Sequence, residues 1–301
     1  MLRLDRFVTL NVLAPFAGLA QNGIHIPILM YHSISREAER SVHPYYRVVT
    51  TPEVFSQHMS LLGEEGYEVI GLETALKLLD PSDGRRQVMQ AKPVVITFDD
   101  GFLDFYTNAF PILARYGFTA TVFLPSFFIG AGNGTSLGKA FLSWTHVREL
   151  IRAGFTFGSH SVSHGDLSVR PHSDVEWELR RSKETIEERS GRPVFAFSYP
   201  YAFPEHNKEF VAFLRNALRD CGYSTAVTTS IGAVHNGNDH FFLRRIPVND
   251  ADDSALFRAK IAGGYDWMHG IQYAAKSTRA LLGLRGRRNV AKWAVLNEDK
   301  L

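Results

Sequence analysis

One cysteine in 301 residues, Cys221, removes two possibilities at once. No internal disulfide can form, and a metal site built on cysteines is also excluded. An excess of one charge is also missing: 33 Lys and Arg stand against 31 Asp and Glu, a net charge of +2. That balance offers no electrostatic footprint for nucleic acid, which excludes it as the expected partner. Basic residues gather only near the C-terminus, where RALLGLRGRRNVAKW carries Arg279, Arg285, Arg287, Arg288 and Lys292. Past the N-terminal segment, no stretch approaches the roughly 18 apolar residues of a membrane-spanning helix.

The N-terminal segment reads two ways. MLRLDRFVTLNVLAPFAGLAQ places Arg3 and Arg6 before an apolar run over 7–20, the outline of a signal peptide, but Asn11 and Pro15 interrupt the run and Asp5 dilutes the charge. An amphipathic helix with Leu2, Leu4, Phe7, Val8 and Leu13 on its apolar side is preferred. A cytoplasmic or peripheral-membrane location is accordingly favoured over export.

What the chain does have is 45% hydrophobic residues in a regular beat of strand-like and helix-like segments. Strand IPILMY is followed by helix PEVFSQHMSLLGEEGY, strand YEVIGL by helix ETALKLL, and strand PVVITF by helix NAFPILARYG. TATVFLP, FTFGS, VFAFSYP and YSTAVTT continue the strands, with helices WTHVRELIRAG, SDVEWELRRSKETIEERSG and NKEFVAFLRNALRDCG between them. Such alternation predicts parallel pairing, and about seven units suit a (β/α) barrel. The expected division is an N-terminal segment over 1–25, a catalytic barrel over 26–250 and a helical cap or tail over 251–301. In the last, SALFRAKIAGGYDWMHGIQYAAKSTRALLGLRGRR is amphipathic with a cationic finish. A cap packed on the barrel through Tyr265 and Trp267 is preferred to peripheral membrane contact through the tail.

Two motifs stand at strand ends, where parallel α/β folds place their functional groups. KPVVITFDDGF ends an apolar strand on Asp99 and Asp100, a pair that alone reads as an Asp-Gly turn. GSHSVSHGDLS sets His160 and His164 four residues apart, able to share one divalent ion or to be an ordinary exposed pair. Together they outline an Asp-His-His site with one open coordination position, the arrangement of a catalytic metal.

In order, ILMYHSI (28–34), TFDDG (97–101), HSVSH (160–164), FSYPYA (197–202) and LRRIPV (243–248) resemble the motifs of the polysaccharide deacetylases, carbohydrate esterase family 4. The order resembles the permuted branch that includes the poly-N-acetylglucosamine deacetylases. The resemblance implies a distorted barrel of about seven parallel strands and a metal-dependent hydrolase that removes N-acetyl or O-acetyl groups from a carbohydrate, such as an N-acetylhexosamine polymer. It implies Asp99 as catalytic base, and Asp100, His160 and His164 as ligands of one divalent ion. Zinc suits the donors best, and nickel, cobalt or iron suit them too. It further implies the Tyr201 N–H as oxyanion donor and His32 as the acid that protonates the leaving amine. Tyr199 and Tyr201 are also expected to line a sugar groove.

Two positions depart from the family pattern. The arginine that usually precedes the proline of the third motif is absent, its place held by Phe197, Ser198 and Tyr199, and Ala202 stands where this branch often has glycine. Arg244 and Arg245 can replace the arginine, and strand alternation lets only one point inward. Arg245 is preferred, leaving Arg244 for a surface salt bridge. A related amidase acting on small amides and a silent sugar-binding module are the alternative functions; the intact set of carboxylates and histidines argues against the second.

Overall fold

The computed structural model describes residues 3–13, 24–37, 39, 42–80, 91–130, 135–136 and 138–282. Seven parallel strands close into a ring: β1 (Ile28–Tyr31), β2 (Lys92–Phe98), β3 (Thr121–Leu124), β4 (Thr156–Ser159), β5 (Ala196–Ser198), β6 (Thr225–Ile231) and β7 (Leu243–Pro247). Each pairs with its neighbour in chain order, and β7 returns to β1, with Ile246 opposite Leu29. Around the ring lie α1 (Leu4–Val8), α2 (Pro52–Glu64), α3 (Leu72–Leu79), α4 (Phe110–Tyr116), α5 (Trp144–Arg152), α6 (His172–Ser190), α7 (Lys208–Asp220), α8 (Ser254–Ile261) and α9 (Met268–Leu281). Their ends follow local chemistry. Thr51 accepts the Val54 N–H ahead of Pro52 at the start of α2, and left-handed Gly191 closes α6.

Strand alternation sorts the core into two layers. Along β2, Val94, Ile96 and Phe98 pack outward against the helices, beside Phe55 and Leu113. Val95 shares an inner cluster with Ile28, Phe123, Ala196, Val227 and Leu243, the other parity of their strands. Continuing the Val95 parity up β2 leads to Thr97 and then Asp99, so the packed floor of the barrel sets the level at which its polar groups emerge.

One expected strand is not part of the ring. Tyr67–Val69 pairs with Lys92–Val94, the first half of β2, on the edge whose second half, Thr97–Phe98, pairs with β3, while β1 takes the opposite edge. Two strands therefore share one edge of β2, and β7 supplies the seventh member of the ring. The half-exposed burial of Tyr67–Val69 agrees with its outer position.

At the N-terminus, α1 continues as a wider helical turn over Thr9–Leu13 and lies on the C-terminal helices. Asp5 accepts from Arg3 and from the Tyr265 hydroxyl (2.9 Å), and the Trp267 Nε1–H donates to Thr9 (3.1 Å). On the barrel side, Gln272 of α9 accepts the Ile231 N–H (3.1 Å) and donates to the Thr229 carbonyl (2.9 Å). Tyr265 is fully buried and Trp267 partly so. Leu2 and the cationic residues Arg285, Arg287, Arg288 and Lys292 lie outside the described residues. Among the described residues, no helix is long and apolar enough to cross a membrane.

Candidate active site

Asp99 extends β2 by one residue, its N–H donating to the Tyr31 carbonyl (3.0 Å), so its carboxylate enters the barrel mouth on the parity of Thr97. Immediately afterwards the chain turns through two left-handed residues, Asp100 (φ 70°) and Gly101 (φ 63°). Glycine is required at the second, because a Cβ there would lie 2.7 Å from Leu124 Cδ2. The turn carries the second carboxylate back over the mouth, separate from the first.

His160 extends β4 in the same manner, its N–H donating to the Leu124 carbonyl (2.9 Å). Its Nδ1 lies 2.7 Å from the Ser198 carbonyl, which makes Nδ1 the protonated nitrogen and leaves the Nε2 lone pair toward Asp100. His164 returns to the same point after a turn held from below. Within it, Ser161 Oγ accepts the His164 N–H (3.0 Å). Glu178 of α6, wholly buried, accepts the N–H groups of Val162 (2.7 Å) and Ser163 (3.0 Å), the Ser163 hydroxyl, and Arg170 Nη1 (2.8 Å). One helical turn on, Ser182 donates to the Ser161 carbonyl (2.9 Å). Among the described residues, the non-glycine residues with positive φ are Asp100, Ser161, His164 and Tyr201. Asp100, Ser161 and His164 belong to these turns and Tyr201 to the segment that follows β5, and backbone strain of about 1–3 kcal/mol per residue is held there by the surrounding bonds.

Asp100 Oδ1 lies 3.0 Å from His164 Nε2 and 3.5 Å from His160 Nε2, all three residues being buried. Donors held about 2.0–2.2 Å from one tetrahedral ion stand about 3.3 Å apart, so this spacing fits a shared divalent metal. The donor set of two imidazoles and a carboxylate leaves one position for water or substrate.

Asp99 is bound differently. Arg245, with no exposed surface, donates from Nη1 to Oδ1 (2.8 Å) and from Nη2 to Oδ2 (2.7 Å). Its remaining N–H groups go to the Thr228 carbonyl (2.9 Å), Thr97 Oγ1 (3.2 Å) and Ser198 Oγ (3.0 Å), so all five donors of the guanidinium are used. Burial alone would raise the Asp99 pKa, but Arg245, with His160 and His32 nearby, holds it down at about 2. His32, one residue beyond β1, points Nε2 at Asp99 Oδ2 from 3.9 Å, and burial keeps its pKa below the ordinary histidine value.

All seven residues singled out in the sequence, His32, Asp99, Asp100, His160, His164, Tyr201 and Arg245, thus lie at one end of the barrel or on the turns above it. Tyr201 sets its ring edge-to-face on His164, centroids 4.9 Å apart. Tyr199 does not line a groove. With Ser198 facing inward to Asp99, its neighbours Phe197 and Tyr199 face outward, and Tyr199 is packed between Phe203 and Phe210. Arg244 forms no surface salt bridge among the described residues; its side chain lies along Gly232. Glu178, Ser182, Ser198 and Thr97 were not singled out in the sequence. The signal for the first two was a Glu and a Ser four residues apart on one helix, hidden among many charged neighbours.

Residues 86–226 match the family model for polysaccharide deacetylase. The chain is 29% identical over 237 residues to the Bacillus subtilis protein YxkH, named among the polysaccharide deacetylases, covering 78% of this chain and 76% of that one. It is 27% identical over 175 residues to a poly-beta-1,6-N-acetyl-D-glucosamine N-deacetylase of Staphylococcus epidermidis, covering 55% of this chain and 58% of that one. Among solved structures, the Streptococcus pyogenes deacetylase PplD in complex with acetate superposes with a TM-score of 0.66 at 26% identity, over 79% of this chain and 99% of that one.

Proposed function

We propose that this chain, a member of the polysaccharide deacetylase family through the match over residues 86–226, is a metal-dependent hydrolase that removes N-acetyl groups from an N-acetylhexosamine polymer. The supporting observation is the division of labour between adjacent carboxylates. Asp100 shares one point with two imidazoles, while Asp99 is gripped on both oxygens by Arg245 and kept ionised. A carboxylate that ligates a metal is a weakened base, so amide hydrolysis at such a centre calls for a second acid beside the first. A relative bearing the name of a poly-N-acetylglucosamine deacetylase directs the substrate choice toward amino sugars.

Asp100, His160 and His164 would hold the ion, zinc by preference among divalent metals. When bound, it supplies Lewis-acid polarisation of the acetyl carbonyl and lowers the pKa of the attacking water. Asp99 takes the proton from that water, its orientation fixed by the guanidinium behind it. The oxyanion that develops on the carbonyl oxygen is met by the Tyr201 N–H, on the strained turn beside His164. His32, on the other flank of Asp99, delivers a proton to the departing amine.

The experiment is a deacetylation assay on N-acetylglucosamine oligomers, with zinc content measured alongside. Asp99→Asn and His32→Ala should each retain the metal and lose about 10²-fold to 10⁴-fold in turnover, the usual contribution of general acid–base catalysis. Asp100→Ala should lose both. Full turnover in Asp99→Asn, or activity undiminished in a protein stripped of metal, would overturn the reading.

A further inference from the structure

A second cluster of metal-type donors sits on elements that the first does not use. His25 and His235 stand directly opposite each other where the short strand His25–Ile26, just before β1, pairs antiparallel with Val234–His235, in the connection from β6 to β7. Their ring centroids are 5.3 Å apart. Asp266, in the turn between α8 and α9, enters the same space. Its Oδ1 accepts the Ala233 N–H (3.0 Å), which fixes the carboxylate, and its Oδ2 lies 3.8 Å from His235 Nε2. One donor atom from each of the three residues falls within 4.8 Å of the others.

A His235–Asp266 ion pair would account for two of the three residues but leaves His25 unexplained. Its Nε2 is buried and has no hydrogen-bond partner among the described residues. A buried imidazole nitrogen without a partner bears a desolvation cost that a coordinate bond would remove. The three donors are a little too far apart to touch one ion as they stand. His235 has a side chain 48% exposed, free to swing inward by a change of rotamer, and the open flank admits a water as fourth ligand.

We propose that His25, His235 and Asp266 form a second divalent-metal site, taking zinc. The ion clamps the strand pair below β1 and β7 to the turn that begins α9. That ties together the two places where the chain enters and closes the barrel and the helix laid across its wall.

Zinc alone is the probe. After zinc loading and gel filtration, the wild-type protein should hold two equivalents by elemental analysis. H160A/H164A should hold one, His235→Ala in the wild-type background one, and the triple variant none. In the H160A/H164A background, zinc should raise the melting temperature, and adding either His235→Ala or Asp266→Asn should abolish that rise. Because the two clusters are emptied by separate substitutions, loss of one reading leaves the other standing. A wild type and His235→Ala variant with equal zinc content would overturn the proposal, and this comparison holds even if H160A/H164A fails to fold. Zinc retention in H160A/H164A that survives His235→Ala and Asp266→Asn would also overturn it, placing the ion elsewhere.

Discussion

Asp99 and Asp100 are joined by one peptide bond yet belong to different environments, and the separation comes from backbone rather than side chain. Asp99 keeps the extended conformation of its strand, while Asp100 enters the left-handed region and turns its carboxylate toward the histidines. Arg245 is the partner that keeps Asp99 ionised and aligned on both oxygens. Lysine offers a single point of charge and cannot form this fork. Arg245→Lys should therefore lower kcat by about 10²-fold through misplacement of the base, with zinc content unchanged. A single-turnover assay with parallel metal analysis checks it; undiminished kcat would remove Arg245 from the orientation of Asp99. At this scale the sequence was informative wherever residue type and parity suffice, as for the Asp pair, the HxxxH spacing and the choice of Arg245 over Arg244. It was uninformative about conformation. Nothing in the letters of Ser161 or His164 announces a positive φ, and Tyr199 faces outward because strand parity turns Ser198, not its neighbours, toward Asp99.

Helix α6 shows how an element acts on a site it does not belong to. Its buried Glu178 gathers two backbone N–H groups and a hydroxyl of the 160–164 turn, and Ser182 ties down a carbonyl of the same turn. A glutamine at 178 keeps the shape but loses the charge and one acceptor, weakening the support of both imidazoles. Glu178→Gln should cost about 10-fold to 100-fold in zinc affinity, the range found when groups behind metal ligands are altered. Competitive zinc titration measures it, and unchanged affinity would mean the turn holds itself. In the sequence, EWELRRSKETIEER reads as a solvated charged helix, since Glu176 and Glu178 differ only in which side of the helix they occupy. YEVIGL was legible as a strand but not as one outside the ring, because pairing partners depend on how Tyr67–Val69 and β3 share one edge of β2.

At the scale of the molecule, the N-terminal helix and the C-terminal helices hold each other through Arg3, Asp5 and Tyr265, and this contact carries a pH dependence. Partial burial would raise the Asp5 pKa, but Arg3 and the Tyr265 hydroxyl bring it to about 2, below its ordinary 3.8. The folded value is the lower one, so the stabilisation is complete above about pH 4 and is lost as pH falls through 2. For a partly exposed pair it amounts to less than about 1 kcal/mol. Hydrogen exchange of α1 should quicken across that window, and Asp5→Asn should show the faster exchange at neutral pH with no further step. A step that persists in the variant would assign the titration to another group. The barrel itself was legible in the beat of strands and helices, whereas the reach of α1 to Tyr265 was not, since nothing local connects the two ends of the chain.

The closure of the ring has a temporal side. β1 leaves the ribosome early and β7 late, and the pairing of Leu29 with Ile246 cannot form until nearly all the rest has been made. The same late strand carries Arg245, so until the ring shuts Asp99 is a carboxylate facing the barrel interior without its counter-charge. Folding and competence are thereby joined in one event. On the proposed mechanism, a nascent or partly refolded chain can possess every proposed metal ligand and still lack an aligned base, and in refolding from denaturant the return of hydrolysis should trail the return of zinc binding, coinciding with the slowest, ring-closing phase.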